Sequence, residues 1–182
     1  MPLNLTLPEV IAVLPLLTVS LTAMLVMLMG AAKPQSTTAA CVISGLGFAA
    51  AGLMAAAVPV GVQPAVIFGG MIRTGNFVDY FTMLFCSAGF LSVLLSQGYI
   101  RSKGLAAGEF YSLLLFSYAG MILMAAAADL VIFFLGLEVM SVSFYILAAF
   151  ARSRPTSNEA GLKYFLLGAF ATGFLLYGSA LL

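Results

Sequence analysis

Long hydrophobic stretches alternate with short polar or Pro- and Gly-containing segments along the chain. An α-helix needs about 20 mostly apolar residues to cross the ~30 Å hydrocarbon core of a bilayer. Six stretches have about this length, so the pattern predicts an all-α fold, a polytopic membrane helix bundle of about six transmembrane helices. The predicted helices cover approximately residues 9–29, 39–58, 77–97, 109–127, 129–150 and 158–182.

The connections between these stretches are short, and residues 1–182 are therefore predicted to form a single transmembrane domain. The longest connection, residues 59–76, contains several Pro and Gly residues, which argue against a strand or a helix. Residues 98–108 are predicted to separate the third and fourth helices, and Ala128 to mark a very tight turn between the fourth and fifth. Pro15 lies inside the first helix, where neighbouring helices can satisfy the freed carbonyl group.

The composition fits a lipid environment. The 182 residues are 63% hydrophobic and 7% charged, whereas soluble domains carry about 25% charged residues. A net charge of +1 gives no indication of nucleic acid as a partner. The cysteines Cys41 and Cys86 lie far apart in apolar runs and histidine is absent, so the sequence supports no metal site and no cofactor bound by this chain.

Basic residues are distributed unevenly between the predicted connections. The side of a membrane protein that carries more Lys and Arg residues usually faces the cytoplasm. The first, third and fifth connections share one side, and Arg73 is the only basic residue of the opposite connections. The N-terminus is therefore predicted to lie outside. The basic residues of the predicted cytoplasmic side are Lys33, Arg101, Lys103, Arg152 and Arg154.

Glu138 is the charged residue that fits least well in a membrane helix. It is the tenth residue of the predicted fifth helix, roughly 13 Å from its outer end and close to the bilayer midplane. A charge there costs ~2.5–3.5 kcal/mol or more, so such residues usually face a bundle interior or a hydrated cavity. Ser141 and Tyr145 extend a polar stripe from it at helical spacing. We predict that Glu138 carries protons with Ser141 and Tyr145 in support; a structural carboxyl group is the alternative.

Lys163 is the second candidate, about five residues into the predicted sixth helix. Its side chain can either extend to the lipid headgroups or take part in proton transfer. Because straight helices place it about 10 Å from Glu138 in depth, a connection through water is expected rather than a direct salt bridge.

Polar residues at the starts of the last two helices have a simpler interpretation. Asp129 and Glu159 are predicted to cap these helices, because the helix dipole favours a carboxylate at a helix N-terminus. Ser157 or Asn158 is predicted to cap the sixth helix.

The two stretches that contain these residues resemble a known family. The run from Asp129 to Tyr145 reads DLVIFFLGLEVMSVSFY and is similar to the fifth helix of the antiporter-like subunits of respiratory complex I. The run from Ser157 to Phe170 reads SNEAGLKYFLLGAF and is similar to the start of their sixth helix, in particular that of subunit N of NADH-quinone oxidoreductase. The first 108 residues agree with the family in layout only.

The resemblance implies a proton-translocating membrane subunit that carries out no redox chemistry itself. Glu138 and Lys163 match family residues that belong to a chain of charges and water across the membrane centre. The complex is expected to use NADH, FMN, iron–sulfur clusters and quinone, and the partners of the chain would be other membrane subunits and the bilayer. The expected location is the bacterial inner membrane.

The resemblance also leaves alternatives open. Subunits of multisubunit cation/proton antiporters and of membrane-bound hydrogenases carry the same pair of helices. A short stand-alone transporter and a purely structural membrane subunit are further alternatives. Members of the family have about fourteen helices, so the chain is expected to be the N-terminal part of such a subunit or one half of a split subunit.

Overall fold

The computed structural model describes residues 7–32, 36–57 and 65–182, with side chains from Glu9 onward. Its described part contains six helices long and apolar enough to cross a membrane, which confirms the prediction of an all-α, multi-pass membrane protein. The helices are α1 (Leu7–Ala32), α2 (Thr37–Ala56), α3 (Asn76–Lys103), α4 (Ala107–Ala126), α5 (Leu130–Ala148) and α6 (Pro155–Ala180).

The helix boundaries lie within about three residues of the predicted ones, except the end of α3, and the end of α3 and the start of α6 have clear physical reasons. Helix α3 continues past Gly98 to Lys103 and ends at Gly104, which adopts a left-handed conformation with φ of 61°. A glycine in this conformation commonly ends a helix, whereas Gly98 is an interior position with open space around it. Helix α6 begins at Pro155, because proline is well suited to the first helical position, where its missing N–H group has no intrahelical partner.

The described part of the connection before α3, residues 65–75, contains a short antiparallel hairpin. The prediction that this connection contains no strand and no helix is therefore wrong for these residues. Strand β1 (Val66–Ile67) pairs with β2 (Ile72–Arg73) across a 3-10 turn, Phe68–Gly70. Positive φ angles at Gly69 and Gly70 reverse the chain, a conformation that glycine adopts readily. The predicted loop residue Pro59 lies outside the described residues.

The hairpin is attached to the turn between α4 and α5. Ile72 forms a β-bridge with Ala127, and the backbone N–H of Ala128 donates to the carbonyl oxygen of Met71 at 2.9 Å. The tight turn predicted at Ala128 is therefore present, and the hairpin packs against it. The Asp129 carboxylate accepts a hydrogen bond from the Val131 N–H at 3.1 Å, which confirms Asp129 as the N-cap of α5.

Helices α1 to α4 contain most of the buried core. Val19, Phe48, Val93 and Leu115, one from each of these helices, are fully buried. Helix α5 packs mainly on α4, and α6 packs mainly on α5. Gly161 is the only described residue of α6 that is buried, so α6 is the most peripheral of the described helices.

The alternating helix directions give the bundle two chemically different ends. We call the end with the residues that connect α3 to α4 and α5 to α6 the basic end, because it carries Arg101, Lys103, Arg152 and Arg154. The opposite end carries the hairpin and Arg73 and is called the hairpin end. Lys33 lies outside the described residues. The assignment of the basic end to the cytoplasm stays a prediction.

Candidate functional site

Glu138 lies near the middle of α5, eight residues after the first residue of this 19-residue helix. Its side chain is half-buried, and its Oε1 atom is buried without a hydrogen-bond donor from any described residue. A buried polar atom that lacks a partner costs about 1–3 kcal/mol, and more when the group is charged. The unpaired buried oxygen therefore marks Glu138 as the candidate functional residue of α5.

The polar stripe predicted from the sequence is present on α5. Glu138, Ser141 and Tyr145 lie within one unbroken helix at spacings of three and four residues, so their side chains share one face. Ser141 and Tyr145 are each 8% exposed. Along the helix axis the stripe extends about 10 Å from Glu138 towards the basic end.

Tyr145 connects the stripe to α6. Its ring makes edge-on contacts with Tyr164 and Phe165, at centroid distances of 4.9 Å and 5.7 Å. Its hydroxyl group lies against Gly168, where a Cβ atom would collide with it. The structure thus places the end of the polar stripe in the interface between α5 and α6, beside the segment that holds Lys163.

The opposite face of α5 packs closely on α4. A Cβ atom added to Gly136 would lie 2.9 Å from the carbonyl oxygen of Gly120 and 2.8 Å from Met124. Small residues of this kind allow two membrane helices to approach closely. This contact lies two residues before Glu138, so it fixes the depth and rotation of the carboxyl group.

Lys163 lies more than two turns into α6, because the helix begins at Pro155 and not near Asn158. Its ammonium group pairs with the Glu159 carboxylate at 2.6 Å, and the two side chains are 70% and 62% exposed. Glu159 lies outside the first turn of α6. The predicted interaction of Glu159 with the helix N-terminus is therefore wrong. The spacing of four residues between Glu159 and Lys163 is typical of an ion pair along a helix and could have revealed this contact from the sequence.

Ser157 and Asn158 do not cap α6 either, since both lie inside the helix. The Ser157 hydroxyl group donates to the carbonyl oxygen of Ala148 at 2.9 Å. The Asn158 amide donates to the carbonyl oxygen of Arg152 at 3.1 Å. Both side chains therefore attach the start of α6 to the end of α5 and to the connection between the two helices.

The structure does not bring Glu138 and Lys163 into direct contact. A Cβ atom on Gly161 would collide with Ala149, so these two residues mark the same level on α6 and α5. Glu138 lies well beyond Ala149 along α5 towards the hairpin end, whereas Lys163 lies just beyond Gly161 along α6 in the same direction. Their depths therefore differ by about nine residues, which corresponds to about 13 Å along straight helices. A proton or charge passing between them would need intermediates such as Tyr145, Ser141 and water.

One ion pair at the basic end was missed by the sequence analysis. The Arg152 guanidinium contacts the Glu109 carboxylate at 3.1 Å, with side chains 79% and 55% exposed. Exposed pairs contribute roughly 0–1 kcal/mol, so this contact links the start of α4 to the connection between α5 and α6 without adding much stability. Within the described ranges, no cluster of three or more His, Cys, Asp or Glu residues has the arrangement of a metal site.

The fold is that of a multi-pass membrane helix bundle in which α6 packs on α5. Residues 127–182, which include Glu138 and Lys163, match the family model described as NADH:quinone oxidoreductase/Mrp antiporter, transmembrane. This part of the chain is similar to that family, and curated proteins similar to the chain are named NADH-quinone oxidoreductase subunit N.

Two curated relatives illustrate the similarity. Subunit N from Trichlorobacter lovleyi is 52% identical over 115 residues, which cover 63% of this chain and 24% of the relative. Subunit N from Salinibacter ruber is 42% identical over 142 residues, which cover 77% of this chain and 28% of the relative. The matched part of the chain thus spans about a quarter of the length of these relatives.

The solved structures give the same result. The chain superposes on a chain of respiratory complex I from Thermus thermophilus with a TM-score of 0.73 and 31% sequence identity. The match covers 92% of this chain and 36% of the Thermus thermophilus chain. The similarity therefore includes α1 to α4, for which the sequence analysis found agreement in layout only.

Proposed function

We propose that this chain acts in the membrane part of an NADH-quinone oxidoreductase, where electron transfer to quinone is coupled to proton translocation. The observation that carries the proposal is the position of Glu138, a half-buried carboxyl group near the middle of α5 with an unpaired buried oxygen. The match of residues 127–182 to the antiporter-like family and the names of the relatives support the same reaction.

In this proposal Glu138 binds and releases the translocated proton. Ser141 and Tyr145 position water or carry hydrogen bonds along the stripe towards the basic end. Lys163, held by Glu159, supplies a positive charge at the far end of this path. The alternative for Lys163 is extension of the side chain to the lipid headgroups.

The proposal assigns the remaining components of the reaction to other chains. The complex would use NADH, FMN, iron–sulfur clusters and quinone, bound by subunits other than this one. The partners of this chain would be the other membrane subunits of the complex. The chain would thereby function as a subunit of a translocase in the bacterial inner membrane, because the similar curated proteins come from bacteria.

The test is the Glu138→Gln substitution in the complete protein, within the assembled complex in membrane vesicles. Glutamine preserves the size and hydrogen-bonding capacity of the side chain but does not exchange a proton in this way. We expect proton uptake per NADH oxidised to fall while the complex still assembles. The matched control is Glu109→Gln, which removes an exposed carboxylate at the basic end and leaves the coupling unchanged. Normal coupling in Glu138→Gln would contradict the proposal and favour a structural carboxyl group.

A second candidate function, a cation/proton antiporter subunit, is favoured by one observation, the description of the matched family, which includes Mrp antiporters. The two functions differ in their driving force. Vesicles that accumulate protons on addition of NADH support the first function. Vesicles that exchange Na⁺ for protons without any electron donor, and that show no quinone reduction, support the second.

A further inference from the structure

An apolar groove opens at the hairpin end, between α3, α4 and the first turn of α5. Its volume is about 370 Å³, which lies within the range of roughly 300–1,000 Å³ that is usual for ligand sites. Three phenylalanines follow one another on α3 at intervals of four residues, and their rings contact each other in sequence. The main walls are formed by Phe77, Phe81 and Phe85 of α3, Met121 and Met124 of α4, and Phe133 of α5.

Arg73 lies at the rim of this groove, and the hairpin holds its backbone in place. It pairs with Val66 across the two strands, and the N–H of the following Thr74 donates to the carbonyl oxygen of Ala65 at 2.8 Å. The neighbouring Ile72 is bridged to Ala127. The guanidinium is exposed and forms no salt bridge with a residue in the described ranges. Arg73 is therefore a positioned cation above an apolar cleft.

Arg73 is the only charged residue among those that line the groove, so the groove favours an anionic group at this position. The described carboxylates of this end, on Glu9, Asp79 and Asp129, are not among the lining residues of the groove, and Arg73 is the only cation among the described residues of this end. The fork of N–H donors on a guanidinium matches the oxygens of a phosphate group. Below it, phenylalanine rings and flexible methionine side chains form a surface that adapts to an irregular apolar chain.

We propose that this groove binds a phospholipid of the adjoining leaflet, with the phosphate on Arg73 and one acyl chain along the phenylalanines of α3. The complementarity of charge and the apolar lining carry the assignment, and it does not depend on the proton-translocating function. The bound lipid would cover the contact between the hairpin and the turn before α5.

The proposal can be tested in cells that produce the complete, affinity-tagged protein and are fed a fatty acid with a photoactivatable diazirine group. The cells incorporate this fatty acid into their phospholipids. After irradiation, the protein is purified and digested, and lipid adducts are located and identified by mass spectrometry. Phospholipid adducts are expected on peptides that contain residues 77–85 and 121–124.

Three variants make the result specific. Arg73→Gln is expected to lower these adducts about tenfold, because a hydrogen bond to a charged group contributes roughly that factor. Ala125→Phe fills the groove with a ring and is expected to remove the adducts while Arg73 remains. Arg101→Gln removes an exposed cation at the basic end of α3, far from the groove, and should leave the adducts unchanged.

Each other outcome overturns the proposal. Equal adduct yields in wild type and Arg73→Gln would mean that Arg73 only extends to the membrane surface. Absence of adducts from these peptides in wild type would mean that a protein helix covers the groove. Labelling of the same peptides by a photoactivatable quinone that phospholipid does not displace would mean that the groove holds a quinone.

Discussion

The hydroxyl group of Tyr145 lies directly against the backbone of Gly168, where α5 and α6 pack together. The same tyrosine ring contacts Tyr164 and Phe165 edge-on. Because α6 packs mainly on α5, this cluster determines where α6 lies relative to the polar stripe of α5. Changes at Gly168 should therefore affect both the stability of the helix pair and the path between Glu138 and Lys163.

Substitution of Gly168 by alanine is expected to destabilise the contact between α5 and α6. The new Cβ atom would overlap the Tyr145 side chain, and overpacking of this kind typically costs 1–3 kcal/mol. We expect a lower melting temperature for the complete protein in lipid nanodiscs. Gly173→Ala is the control, since a Cβ atom there meets only open space, and it should leave the melting temperature unchanged or raise it. Equal melting temperatures for the two variants would contradict the contact.

Gly136→Ala is expected to have a larger effect, because the obstruction is backbone as well as side chain. The added Cβ atom would lie 2.9 Å from the carbonyl oxygen of Gly120, so α5 must move away from α4 to accept it. That movement displaces Glu138, and we expect proton uptake per NADH to fall together with the melting temperature. Gly98→Ala, at an open position of α3, serves as the matched helical control. If Gly136→Ala retains full coupling, the close contact between α4 and α5 is not needed for the function of Glu138.

The sequence alone predicts the helices and the residues whose chemistry conflicts with lipid. Glu138 is identifiable because a carboxylate at mid-depth is costly, and Asp129 because an N-cap residue directly precedes a long apolar run. The hairpin at Phe68–Gly70 was missed because its strands contain only two residues each. Its stability comes from pairing with the distant Ala127, a contact that hydrophobic periodicity does not encode. The ion pair of Glu109 with Arg152 was missed because it joins residues 43 positions apart.

Asp129→Ala tests how the start of α5 is held. The variant removes the side-chain acceptor for the Val131 N–H, and loss of an N-cap costs typically about 1 kcal/mol. A shift of a few degrees in melting temperature is expected, since this is the usual response of a domain of this size to such a change. Asp129→Asn retains an acceptor oxygen and should behave almost like wild type. If Asn and Ala lower the melting temperature equally, the negative charge rather than the cap stabilises this turn.

The role of Lys163 can be separated from simple anchoring at the membrane surface. An exposed ion pair at a spacing of four residues contributes only about 0.3–0.5 kcal/mol, so Glu159→Gln and Lys163→Gln should both leave the melting temperature nearly unchanged. If Lys163 supplies charge to the proton path, Lys163→Gln lowers proton uptake per NADH, and Lys163→Arg restores most of it. Arg154→Gln removes another cation of the basic end and is the control. If Lys163→Gln and Arg154→Gln show equal proton uptake per NADH, Lys163 only extends to the headgroups. The positive charge needed beside the polar stripe would then come from outside α5 and α6.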